Sequence, residues 1–328
     1  MPRKVEISYR TITFTTIFII CLWFLFQIRQ IILGLFIAVI VVSALNPSVR
    51  KLESLKFPRW LAILIIYLGG FLFLGLGLAG IIPPLVDQTS TLINQIPEFF
   101  RQFKIMGIDE KLIASQFAQL TAVPSNMIKF LIGVFSNIVQ ILALAVFTFY
   151  LLLERKNLDH YLAVLVGEEK GKEIEKVLNK VENRMGGWIR GELLLMTIVG
   201  ILNYIGFRII GIEFALPLAI LAFLFEIIPN IGPTIAAFPA IIIGLTVSPF
   251  YALAAAGWCF LVQQLENTIF VPRIMKKVAG VNPLVSILSL AVGFKLAGVG
   301  GAMLAIPTFL TLQVVLGEVF TSKKFREV

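Results

Sequence analysis

The chain has 328 residues, 58% of them hydrophobic and 14% charged, with a mean hydropathy of +0.94. Soluble domains carry about a quarter charged residues and under half apolar ones, so a water-soluble fold is excluded. Lys and Arg outnumber Asp and Glu 28 to 19. These charges lie in short strips between long apolar runs, which argues against a nucleic-acid partner and for a polytopic membrane protein oriented by its basic residues.

In chain order, the opening Met1-Pro-Arg-Lys and the apolar run 12–26 have the outline of a signal peptide. No small-x-small cleavage pattern follows, however, and a second apolar run, 31–45, comes at once, so a retained hairpin is expected. A bilayer core of about 30 Å takes roughly 20 apolar residues in helix. The segments 11–27, 30–46, 60–83, 127–153, 188–209, 212–229, 232–248 and 250–271 meet that demand. The tract 283–318 is interrupted by Gly293, Lys295, Gly298, Gly300, Gly301 and Pro307, and reads either as two crossings or as a hairpin that does not fully cross. The expectation is an all-α polytopic integral membrane protein with about eight transmembrane helices plus a C-terminal broken helix or hairpin. Its parts are N-terminal transmembrane helices in 1–83, an external amphipathic segment in 84–126, a transmembrane helix in 127–153, a cytoplasmic amphipathic segment in 154–187 and a C-terminal transmembrane core in 188–328. Placing both termini in the cytoplasm puts 21 of the 28 Lys and Arg inside, as the positive-inside rule requires at a plasma membrane.

The two polar segments differ. In 84–126, Leu85, Leu92, Ile96, Phe99 and Phe103 recur at helical spacing. In 154–187 acids and bases cancel, while Ile174, Val177, Leu178, Val181, Met185 and Trp188 form one apolar stripe. A membrane-surface helix carries an excess of bases, so the stripe points to packing against other helices or another subunit; a connector lying on the lipid surface is the alternative.

Enzyme signatures are missing: there is no His-Glu-x-x-His and no Gly-x-Ser-x-Gly, and Asp87, Asp109 and Asp159 all lie outside the spans. Gly167 to Lys172 has one residue too few between its glycines for a phosphate loop and lacks the following Ser or Thr. Cys21 and Cys259 read as small buried hydrophobes and His160 as a surface residue, so no metal or cofactor is expected.

Ionisable groups within spans are costly unless paired or wet, and are functional by default. Glu226 stands three residues before Pro229-Asn230-Ile231-Gly232-Pro233, a break whose freed backbone groups need protein, water or a passing solute. The second constellation is Gln263, Glu266 and Asn267, on one helical face and closed by Pro272-Arg273. A carboxylate between two amides suits a cation or a hydroxylated solute. Glu266 lies about 24 Å into its span at 1.5 Å per residue, so an interfacial or helix-pairing role competes with a lining one. Economy of burial predicts that the two clusters lie together along one polar path. Glu213, Arg208, Lys295, Arg190 and Glu192 lie near predicted span ends and read as snorkelling anchors.

The ordered motifs Glu226-Ile-Ile-Pro-Asn-Ile-Gly-Pro233, Gln263-Gln-Leu-Glu-Asn267 with Val271-Pro-Arg-Ile-Met275, Asn282-Pro-Leu-Val285 and Gly298-Val-Gly-Gly-Ala302-Met-Leu-Ala-Ile-Pro307 resemble the autoinducer-2 exporter family of bacterial and archaeal membrane proteins. The N-terminal half agrees in layout. Where the family usually has His before the proline of the third motif, this chain has Asn282, so no protonation role carries over there. The resemblance implies a secondary transporter that exports a small solute such as autoinducer-2, or alternatively a sodium(lithium)/proton antiporter, and a homo-oligomer, possibly a pentamer. A passive channel or membrane scaffold is the reading from another class. The residues expected to line the path are Glu226, Asn230, Gly232, Pro233, Gln263, Glu266, Asn267 and Arg273.

Overall fold

The computed structural model describes residues 9–73, 75–76, 83, 138–229, 231–275 and 283–321. The expected external helix in 84–126, the first part of the expected span 127–153, and Asn230 and Asn282 lie outside the described residues. Among those residues the secondary structure is helical throughout: α1 (Tyr9–Gln27), α2 (Arg29–Ser54), α3 (Arg59–Phe73), α4 (Ile138–Glu154), α5 (Leu158–Val166), α6 (Glu168–Ile210), α7 (Ala215–Phe225), α8 (Gly232–Val247), α9 (Pro249–Leu265), a π-turn (Glu266–Phe270), α10 (Val271–Met275) and α11 (Pro283–Thr321). Four helices, α1, α2, α6 and α11, contain stretches long and apolar enough to cross a membrane, with shorter apolar helices beside them. The protein is an all-α polytopic membrane protein.

None of the residues of α1 is buried within the chain, so its all-round apolar surface faces outward. The organising element is α6. Its 43 residues reach about 64 Å at 1.5 Å per residue, and it packs against α2, α5, α7, α9 and α11. The stripe expected on 154–187 faces protein at Val177, Val181, Met185 and Trp188, whereas Ile174 and Leu178 are exposed. Val181 and Met185 are buried against Ile40 of α2 and Val314 of α11, with Val177 at the edge of that cluster, while Trp188 is buried with Leu290, Ala302, Ala305, Ile306 and Leu310 of α11. No helix end falls at 187–188; the amphipathic and apolar halves are one rod.

Two stretches fold back on themselves. The expected spans 212–229 and 232–248 form a helical hairpin whose arms have 11 and 16 residues, about 16 and 24 Å. Each arm is shorter than a core of about 30 Å. Gly232 makes the turn between them possible: a Cβ there would sit 1.8 Å from Phe225 O. In α11 the helix breaks at Ala297 and Gly298, the latter at φ 61° and ψ −144°, a region that glycine enters without steric cost. The two arms close to the point where a Cβ on Gly293 would lie 2.4 Å from Gly301 O. The tract 283–321 therefore turns back on itself at this break.

Candidate functional site

The site forms where α6, the α7–α8 hairpin and the lower end of α9 converge. Its formation at the foot of α9 follows from Pro272. A proline has no N–H and its ring crowds the carbonyl four residues back, so the helix widens ahead of it, and Val271 N–H bonds to Glu266 O, five residues away. Such π-turns are rare and concentrate at functional sites. This one turns the Glu266 side chain inward.

Three carboxyl groups meet there. Glu192 of α6 is 4% exposed, Glu226 of the hairpin turn 1% and Glu266 of the π-turn 5%. Glu226 and Glu266 are hydrogen-bonded through their side chains, and both stand within electrostatic range of Glu192. Glu192 Oε1, Glu226 Oε2 and Glu266 Oε2 are buried without a hydrogen-bond partner, and among the described residues no ion pair reaches any of the three. Two carboxyl groups in hydrogen-bonding contact need a proton or a cation between them, because an ionised carboxylate only accepts.

Above Glu266 a narrow crevice of about 10 Å³ runs between α6, α8 and α9, the space of a single water. Its polar lining is Asn203, Gln263, Glu266 and Cys259, and Pro233 forms part of its wall. Asn203, 5% exposed, donates Nδ2 to Val199 O at 2.9 Å, and its Oδ1 has the Cys259 thiol at 3.9 Å.

The structure brings together Glu226, Gly232, Pro233, Gln263 and Glu266. It separates Asn267 and Arg273, which are exposed: the widened π-turn splits the face on which Gln263, Glu266 and Asn267 were expected together. Glu192 corrects the sequence reading. It was expected as an anchor at a span end, but α6 has no end near 188, and Glu192 faces the interior. Arg208, Glu213 and Lys295 are exposed, as anchors are, whereas Arg190 donates to Ser43 O at 3.2 Å and Ala44 O at 3.0 Å and ties α6 to α2. Asn203 was missed; its signal was an amide in the middle of an otherwise apolar run.

Residues 12–321 match the model of the AI-2E family transporter. The chain is 29% identical to YueF of Bacillus subtilis (strain 168) over 93% of its own length and 88% of the relative's. It is 27% identical to YrrI of the same organism over 90% and 89%, and 22% identical to PerM of Escherichia coli (strain K12) over 89% and 88%. The first two are provisionally named transport proteins and the third a permease, and none of these names specifies a solute. With its motifs, its apolar helices and this match over nearly its whole length, the chain belongs to the AI-2E transporter family and is an integral membrane transporter.

Proposed function

We propose that the protein is a secondary transporter that exports a small solute along a polar path through its C-terminal half, with Glu192, Glu226 and Glu266 as the groups that couple this movement to an ion gradient. The supporting observation is the trio itself. Three buried carboxyls facing one another form a costly arrangement unless positive charge enters and leaves, and coupled transport needs a group whose occupancy differs between states. On this reading Pro233, Gln263 and Glu266 line the path beside the trio, Gly232 shapes the turn that can move, and Asn267 and Arg273 mark the cytoplasmic mouth. Both termini are cytoplasmic, and the chain works as a homo-oligomer in the plasma membrane.

The family supports an autoinducer-2-like, hydroxylated solute. Sodium/proton antiport is the second reading, favoured by the one-water crevice beside the buried Glu266 carboxyl. Proteoliposomes loaded with either solute and given a proton or sodium gradient separate the two. Wild type should move one solute with a rate that follows the imposed gradient, and Glu226→Gln should stop it. Wild-type vesicles that move neither solute would overturn both readings and favour a scaffold.

A further inference from the structure

We propose that the apolar cluster around Trp188 and Leu290 is a closed gate that seals the three carboxyls from the charged half of α6. The inference rests on the transport reading and adds to it the barrier that keeps the coupling groups from exchanging with both sides at once.

The two sides of the trio differ in chemistry. Toward the C-terminal end of α6 lies the one-water crevice with Asn203 and Cys259. Toward the other end, Trp188 stands one helical turn before Glu192, about 6 Å along the axis at 1.5 Å per residue. Trp188 is buried with Leu290 and Ile306 of α11 in a cluster that contains no polar side chain, and beyond it α6 continues into its charged half, 168–184.

The elements that carry the carboxyls also build the cluster. Ile228 follows Glu226 by two residues, Met275 ends the short helix after the Glu266 π-turn, and both pack against Trp188 and its neighbours. On α6 itself, α10 rests beside Glu192: a Cβ on Gly191 would stand 2.9 Å from Met275 Sδ and 3.2 Å from Ile274 Cγ2. Trp188, Leu290 and Ile306 are 6%, 2% and 3% exposed, and an apolar constriction packed in this way bars water and ions by staying dry. Alternating access requires such a barrier on one side of the site while the other opens. Because the gate and the carboxyls share the hairpin turn, α6 and the chain after the π-turn, a shift that parts Met275 or Ile228 from Trp188 also rearranges the trio.

Access to position 192 provides the readout. In a full-length chain with Cys21→Ser and Cys259→Ser, Glu192→Cys carries the sole thiol. The reagent 2-(trimethylammonium)ethyl methanethiosulfonate is too large for the crevice of about 10 Å³ and should label this thiol slowly in purified protein. Leu290→Asn puts an amide into the seal at similar volume. Gly191→Ala pushes the flexible Met275 side chain aside, in a helix that favours alanine over glycine. Each should accelerate labelling at least tenfold, in variants shown by size-exclusion chromatography to be folded. Leu290→Met should not, and neither should Leu218→Asn, which lies in the separate cluster around Phe207 and Ala240. Proteoliposomes of the chain with its trio intact, and without solute, give an independent reading: Leu290→Asn should dissipate a pH step at least fivefold faster than wild type. Unchanged labelling in both variants, an unchanged pH decay, or equal acceleration by Leu218→Asn would overturn the gate. Gradient-driven flux in wild type with unchanged labelling would leave the transport reading standing and remove this one; faster labelling in a chain that moves no solute would do the opposite.

Discussion

Where α2, α3, α4 and α6 meet, the chain buries charge by pairing it. Arg59 bonds Glu53 at 2.7 Å, Leu152 O at 2.7 Å and Asn46 at 3.1 Å. Arg155 bonds Glu182 at 2.8 Å and Asn179 at 2.7 Å, and the Asn46 amide joins the halves by donating to Glu182. Where α6, the α7–α8 hairpin and the π-turn meet, the chain instead buries three carboxyls and leaves an oxygen of each unpartnered. The first cluster has complementary charges and specifies how four helices dock. The second has one sign of charge, and static packing gives it no stabilisation; buried groups of this kind persist where something else completes them.

The largest expected effect lies in the second cluster. Glu226→Gln keeps the size of the side chain and its hydrogen-bonding capacity but loses the exchangeable proton, so gradient-driven flux in proteoliposomes should fall at least a hundredfold, with the thermal unfolding midpoint in detergent unchanged or raised. Flux that survives would mean that the trio is structural, and the contrast between the clusters would vanish.

The paired cluster should answer in the opposite way. Arg155→Ala leaves the part-buried Glu182 beside Asn46 without its cation, and a polar group left unpaired in this way costs about 1–3 kcal/mol. A drop in unfolding midpoint and in yield is expected, read by thermal unfolding, with the protein that remains folded still transporting. Replacing both partners, Arg155→Met with Glu182→Leu, should recover most of that stability, because an apolar pair of similar volume is often no worse than an ion pair. No apolar replacement of Glu226 and Glu266 should recover flux.

The sequence made the trio partly legible. Glu226 and Glu266 were visible because each interrupts an apolar run beside a proline, and the cost of burying two isolated carboxyls predicted that they would adjoin. Glu192 was hidden by a boundary. Composition changes near 188, and a change of composition imitates a membrane edge, yet the helix passes through it, and there Gly186 lets α6 approach α2 so closely that a Cβ would sit 2.0 Å from Ser43 O. The separation of Asn267 from Glu266 was illegible for a related reason: a 3.6-residue period assigns faces correctly only while the helix keeps that period, and the π-turn ahead of Pro272 does not. The two hairpins were readable only as glycine and proline interruptions, since hydropathy counts apolar residues and not the direction in which the chain leaves.

A smaller effect sharpens the trio itself. Glu192 reaches its neighbours electrostatically, without the direct bond that joins Glu226 and Glu266. Glu192→Gln should therefore slow flux about tenfold rather than stop it, and should raise the unfolding midpoint by removing a like charge. Equal losses for Glu192→Gln and Glu226→Gln, measured in the same vesicles, would make the three carboxyls equivalent and remove the special standing of the Glu226–Glu266 pair.

The smallest effect belongs to a pair that resembles the first cluster on paper. Lys180 of α6 bonds Glu318 near the end of α11, and Arg184, one turn along, donates to Gln313 at 3.0 Å. These contacts join the same two helices that Val181, Met185 and Val314 join from inside. Lys180 is 47% exposed and Glu318 32%, so water competes for both charges and added salt screens them. The long side chains also lose rotamer freedom when held in one geometry. Lys180→Ala should leave the unfolding midpoint, flux and assembly of the chain unchanged, and wild type should show no dependence of its midpoint on salt that the variant lacks. A clear destabilisation would mean that the α6–α11 contact is held by its charged rim and not by its apolar seam, and that pairing of charge matters at the surface of this protein as it does in the interior.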